Sequence, residues 1–330
     1  MPESPEPLAR RSITLLLRSR VVNGAVRALA HARGHRLVLV YHGVGQLAPP
    51  GCQVVPSVAT EMFRAHVQAL GEVVDVVSLD DILAQENAPP RVAARRARLS
   101  VALTLDDDLP SHMSHALPAL RDLGVPAAFF LSGRALYGLG PYWFQQMEAL
   151  LVSHGCARVA GLLGMPTAPP SALALSCEQS PEMRRRVAEL SADVPQPGVL
   201  QRADIAALSA AGMTIGFHTL DHVTLPALDD AGLETAVTRG RDCLAAAAGA
   251  AARFFSYPHG KADARTAQAV RRAGFEAAFT GRPGPLRRRQ DRFLLGRWDP
   301  GPLGVDALLA KLAIHLHRAS PAIAQAGPGR

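Results

Sequence analysis

The run RLVLVY at residues 36–41 is a continuous apolar, β-rich stretch, the pattern of a strand buried on both faces, and it ends in His42 and Gly43. Runs of the same kind recur as LSVALTL (99–105), VPAAFFLS (125–132), MTIGF (213–217), ARFFSYP (252–258) and FEAAFT (275–280), with RFLLGRW (292–298) after them. Helical periodicity separates them. Met62, Phe63, His66, Val67 and Leu70 fall at helical spacing before a short apolar run at 73–79. Further helices are predicted from about Ser114 to Leu123, at 202–211, about 229–247 and about 263–273, and a last amphipathic one near 305–318. Strands alternating with helices at this interval predict an α/β fold with a parallel sheet or barrel and ligand chemistry at the carboxyl ends of its strands.

The rhythm is lost between about Arg134 and Gln201, where Tyr142, Trp143 and Phe144, an Ala/Pro-rich segment and the charged run 182–189 predict a mostly helical insertion. The expected organisation is a basic amphipathic segment at 1–35, a barrel at 36–318 carrying the insertion at about 134–201, and a tail at 319–330. With 48% hydrophobic and 19% charged residues in 330, the chain can bury a large core, which excludes intrinsic disorder. Its net charge of +7 permits anionic partners. The basic residues are nevertheless scattered and lack the aromatic interleaving of a base-stacking platform, so no nucleic-acid partner is expected.

Cys52, Cys156, Cys177 and Cys243 form no C-x-x-C pair and read as small buried hydrophobes, not as a zinc knuckle or redox motif. Near the N-terminus, Ile13 to Leu17 is too short for a signal core or a transmembrane span before Arg18 and Arg20 interrupt it. A cytoplasmic location is therefore expected, with peripheral membrane contact through the basic amphipathic stretch 8–33 as the alternative.

Two strand ends carry unusual chemistry. Asp106, Asp107 and Asp108 follow LSVALTL directly, and three adjacent carboxylates raise each other's pKa, so something cationic is expected beside them. Solvated loop acids or a helix N-cap would explain any one of them. His218 and His222, in GFHTLDH, also follow an apolar strand; at i, i+4 on one helical turn both imidazoles would point the same way, at a spacing that suits a divalent metal. Two His and one Asp leave a fourth position open, the layout of a catalytic zinc site, and a second Asp beside it can act as general base. The same triad describes non-haem iron oxygenases, whose framework the β/α rhythm argues against. Asp106-x-Asp108 alone would also suit an acidic magnesium site, leaving the His pair idle.

TLDDD (104–108) is similar to the T-F-D-D-G motif of the polysaccharide deacetylases, the NodB homology domain of carbohydrate esterase family 4. HTLDH (218–222) resembles that family's H-[ST]-x-x-H metal motif and SYPHG (256–260) its R-x-P-Y-G motif, in the same order. VLVYHGVG (38–45) resembles the circularly permuted branch that includes poly-N-acetylglucosamine deacetylases. The resemblance implies a distorted (β/α)7 barrel and metal-dependent removal of acetyl groups from N-acetylated sugar units. It implies Asp106 as general base, with Asp107, His218 and His222 holding the metal: zinc, or cobalt or nickel. His259 would offer its backbone N–H to the oxyanion, and His42 would protonate the leaving amine, with His315 or His317 as the rival acid. Ser256 stands where the family motif has an Arg, and Asp108 where it has a Gly; Arg297 is the candidate to supply the missing guanidinium. Trp298 lines a pocket or belongs to the core. The implied partner is an acetylated carbohydrate, either a glycan precursor or a small glycoside, and a non-catalytic carbohydrate-binding relative is the alternative.

Overall fold

The computed structural model describes residues 36–45, 48–85, 99–166, 168–287 and 289–318, with side chains to 314. The expected amphipathic segment (1–35) and tail (319–330), and the side chains of His315 and His317, lie outside the described residues.

The strands are β1 (Arg36–Tyr41), β2 (Gly43–Val44), β3 (Ser57–Val58), β4 (Asp75–Val76), β5 (Ser100–Asp106), β6 (Ala127–Leu131), β7 (Thr214–Phe217), β8 (Phe254–Ser256) and β9 (Ala277–Phe279). Between and after them come α1 (Thr60–Val73), α2 (Leu79–Ala84), α3 (Leu117–Asp122), α4 (Trp143–His154), α5 (Cys156–Leu162), α6 (Pro170–Gln179), α7 (Pro181–Leu190), α8 (Arg202–Ala210), α9 (Asp230–Thr238), α10 (Arg241–Ala248), α11 (Ala264–Arg272) and α12 (Val305–Arg318). The sheet order is β1-β5-β6-β7-β8-β9, all parallel, with β4 also on β5. Residues 295–298 close the ring: Thr280 N–H donates to Leu295 O at 2.7 Å on one side, and Trp298 N–H donates to Val38 O at 2.9 Å on the other. The result is a distorted (β/α)7 barrel.

Strand parity sorts the side chains. Leu37, Leu39, Leu103, Leu105, Phe129, Phe217 and Phe255 point outward into the main core beneath the helices. Val38, Ala102, Ala128, Phe130, Phe254, Phe279 and Leu295 fill the barrel, which α2 plugs with Leu79, Ile82 and Leu83. Gly216 belongs to the inner set, where a Cβ would stand 2.5 Å from the Phe130 ring, so no larger residue fits. Further along four of these inward rows, always an even number of residues on, come His42 (four after Val38), Asp106 (four after Ala102), Ser256 (two after Phe254) and Arg297 (two after Leu295). The same alternation that packs the barrel therefore aims these groups at its mouth.

The stretch between β6 and β7 is helical, as predicted. α4 to α7 enclose a core of their own around Met147, Leu150, Leu151, Val159, Leu173, Cys177 and Val187. Three local expectations differ. The predicted helix at 229–247 is two helices, because Gly240 adopts a left-handed φ of 96° between them. The helix expected from Ser114 starts earlier, as a π-helical turn at His112–Ala116. Only Cys177 is fully buried; Cys243 is exposed on α10, where its sulfur accepts a hydrogen bond from Tyr137 Oη. Trp298 is core, packed under the helices. Among the described residues no helix is long and apolar enough to cross a membrane.

Candidate active site

Each of the three adjacent acids meets a different solution to its charge. Asp106, the last residue of β5, is bidentate with Arg297: Nη1 donates to Oδ1 and Nη2 to Oδ2, both at 2.6 Å. Ser256 Oγ donates to Oδ2 at 2.9 Å. Burial alone would raise this carboxyl's pKa, but the Arg297 charge and hydrogen bonds outweigh it and hold it well below the carboxylate range. Arg297 reaches Asp106 because it lies between the two bridges that close the barrel, on the same inward parity as Leu295. Thr104 Oγ1 accepts from its Nη1 at 3.1 Å and Ser256 Oγ from its Nη2 at 2.7 Å, so the fork is held on three sides.

Asp108 turns away from the barrel mouth. Its oxygens accept the backbone N–H of Ser132 and Arg134, both at 2.8 Å, so it clamps the turn that follows β6. Burial raises its pKa and those backbone donors oppose the rise. Asp108→Ala is expected to cost about 2–3 kcal/mol in denaturant unfolding, because it strands N–H donors of this turn. Metal content by elemental analysis is expected to stay unchanged. Loss of the metal instead would restore the reading in which Asp106 and Asp108 form an acidic magnesium site.

Asp107 is the acid left over. It sits in the left-handed region at φ 76°, its Oδ1 is buried without a hydrogen-bond partner, and burial, then Asp106 and Asp108, push its pKa well up. His222 Nε2 lies 3.4 Å from Oδ1 and His218 Nε2 3.7 Å from it. A tetrahedral ion with bonds of ~2.1 Å needs ligand atoms about 3.4 Å apart, so the three residues fit a small divalent cation. His218 Nδ1 lies 2.8 Å from the Ser256 carbonyl. A carbonyl only accepts, so Nδ1 carries the proton and Nε2 presents its lone pair to the site. Burial lowers the His218 pKa to about 4 and that of His222 well below its usual range, keeping both as neutral ligands.

The pair does not lie on a helical turn, as its i, i+4 spacing predicted. Residues 218–222 form an irregular loop in which Thr219 (φ 60°) and His222 (φ 49°) are left-handed. Those two reversals curl the loop so that both Nε2 atoms converge on Asp107. Tyr142, from the start of the insertion, and Phe144 pack edge-on to the His222 ring at 5.4 and 5.3 Å between centroids.

His42, Asp106, Asp107, His218, His222, His259 and Arg297 all line one cleft of about 680 Å³ at the carboxyl ends of the strands. His42 is half-buried there; burial lowers its pKa, while the carboxylates of Asp106 and Asp299 oppose that. His259 is left-handed at φ 57° and its ring stands 4.6 Å from that of His222. Four groups that sequence reasoning missed also belong here. Thr104 buttresses Arg297, and its inward parity two residues before Asp106 was the signal. Asp299, two residues after Arg297, lines the cleft beside His42. His112 is fully buried on the π-helical turn and donates from Nε2 to the His42 carbonyl at 3.2 Å, with burial bringing its pKa down to about 4. Glu178 enters the cleft from α6 and pairs with Lys261. For His112 and Glu178 no local pattern marked the residue.

A family model described as polysaccharide deacetylase matches residues 94–278. No curated protein matches the chain. Among solved structures, the fold is similar to that of the Streptococcus pyogenes deacetylase PplD in complex with acetate, at 17% identity and a TM-score of 0.59, covering 85% of this chain and 99% of that one. It is also similar to IcaB from Ammonifex degensii, at 20% identity and a TM-score of 0.54, over 86% of this chain and 97% of that one. The deacetylase domain of BpsB from Bordetella bronchiseptica matches at 14% identity and a TM-score of 0.50, over 80% of this chain and 95% of that one.

Proposed function

Because the chain belongs to the polysaccharide deacetylase family, we propose that it is a metal-dependent hydrolase that removes the acetyl group from an N-acetylated sugar. The observation that carries this is the partnerless Oδ1 of Asp107 facing the Nε2 atoms of His218 and His222, beside an Asp106 held ionised by Arg297. Asp107, His218 and His222 would hold a divalent cation, zinc or alternatively cobalt or nickel, which would supply Lewis-acid polarisation of the acetyl carbonyl.

The chain's own groups do the rest. Asp106 takes a proton from the attacking water at its carboxylate, and Arg297 keeps that carboxylate unprotonated until then. The backbone N–H of His259 is assigned to the oxyanion that develops as water adds to the acyl carbon. His42 gives a proton to the nitrogen as the C–N bond breaks; burial lowers its pKa, and the Asp106 and Asp299 carboxylates oppose that. One water and one amide become one acetate and one free amine. A cytoplasmic or membrane-associated location is part of the same proposal, and it points to a glycan precursor or small glycoside as substrate.

The test is acetate release from N-acetylglucosamine glycosides by protein reconstituted with zinc, cobalt or nickel. We expect acetate and free amine in equal amounts, lost on chelation and restored by metal. Acetate released only from O-acetylated sugars would make the chain an esterase, and release that survives chelation would overturn the metal-dependent reading.

A further inference from the structure

Resting on that deacetylase reading, we infer that the sugar acted on carries an apolar aglycone, and that α6 of the insertion builds the wall that receives it.

Ser171, Ala174, Leu175 and Glu178 recur at the three- and four-residue spacing of a single helix face, and all four line the cleft that holds the metal-ligand triad. The other face of α6 is already spent, with Leu173 and Cys177 packed into the insertion's own core. An isolated exposed leucine carries no meaning. Leu175, however, is 49% exposed on the wall of the catalytic cleft, on a helix that has no packing need for a second apolar face. The cleft is also lined by Trp143 and Phe144, from the start of α4. These rings and the α6 face therefore line the same cleft as the metal-ligand triad.

Polar partners are few on this wall. The Glu178 carboxylate is engaged by Lys261, and His259 Nδ1 stands 3.9 Å from it, which leaves Ser171 as the uncommitted hydroxyl of α6 in the cleft. A second sugar ring placed here would bury hydroxyls against Ala174, Leu175 and the aromatic rings, and buried hydroxyls without partners weaken binding. An alkyl or aryl group loses nothing there and gains from burial. The cleft, at about 680 Å³, is of the size that takes a drug-sized ligand and has room beyond one acetylated hexosamine.

The experiment separates this inference from the reaction itself. Binding of octyl β-glucosaminide, below its micellar concentration, is compared with that of methyl β-glucosaminide by calorimetry on the zinc-loaded wild type; both lack the acetyl group, so no turnover is needed. The octyl compound is expected to bind at least about fifteenfold more tightly, the value for two buried methylenes, with a more negative heat-capacity change. In Leu175→Ser that ratio is expected to fall about fivefold. In turnover, kcat/KM for octyl β-N-acetylglucosaminide is expected to exceed that for N-acetylchitotriose. Equal binding of the two glucosaminides, an undiminished ratio in Leu175→Ser, or a preference for chitotriose would overturn the inference while leaving deacetylation intact. Octyl-selective binding without acetate release from any glycoside would support this wall and overturn the proposed reaction.

Discussion

Asp106→Asn abolishes acetate release, by an expected factor of at least about a thousand, while the protein keeps its full complement of metal. General-base catalysis by a positioned side chain typically contributes about 10²–10⁴-fold, and an amide of the same shape cannot take the proton. Asp107, His218 and His222 are untouched, so metal content by elemental analysis should equal that of the wild type. The substitution also removes the charge opposite Arg297, and breaking a buried pair costs about 3–5 kcal/mol because it leaves the other charge uncompensated. Arg297→Met tests the converse. Without the guanidinium, burial raises the Asp106 pKa, so the base is protonated over more of the pH range and the acid limb of kcat/KM moves to higher pH. The sign follows from linkage: a carboxyl held down in the folded state contributes its full stability above ~3.9 and loses it only as pH falls below that value. In Asp106→Asn/Arg297→Met no unpaired charge remains, so the loss of stability should be smaller than the sum of the two single losses. Full activity in Asp106→Asn would remove this residue from the role of base.

His218→Ala is the second large effect. Reconstituted wild type is expected to bind about one equivalent of divalent metal, and the variant to lose both the metal and acetate release. The ring is oriented by the Ser256 carbonyl, so the variant discards a ligand already locked in its binding tautomer. Compared metal-free, thermal stability should fall less than in Asp106→Asn, since removing the neutral His218 ring leaves no buried charge unpaired. Wild type that takes up no zinc, cobalt or nickel would point instead to a carbohydrate-binding relative without catalysis.

Both experiments probe residues that stood out before any fold was known. A buried parallel strand is a continuous apolar run, so the residues just past its end are visible in the sequence as the first polar groups: His42 after RLVLVY, the three acids after LSVALTL, His218 after MTIGF. Parity does part of the remaining work. Ala102, Thr104 and Asp106 share a face, and once Ala102 is seen to fill the barrel the carboxylate must point into it.

What alternation does not state is which partner each group meets. Arg297 and Asp106 are 191 residues apart and touch only because residues 295–298 close the ring between β9 and β1. Asp108 looks equivalent to its neighbours in sequence, yet its carboxylate goes to the backbone of the turn after β6, a choice made by the left-handed turn at Asp107. The spacing of His218 and His222 suggested a helical turn, whereas the convergence comes from two left-handed residues in a loop. Glu178 and Leu175 reach the cleft only because the insertion folds back over the barrel mouth. Strands, their helical connections and the chemistry at the strand ends are legible in the order of residues, because burial on both faces leaves a local signature. Charge pairing, ligand convergence and the walls of the cleft come from contacts between segments far apart in the chain, which no local period records.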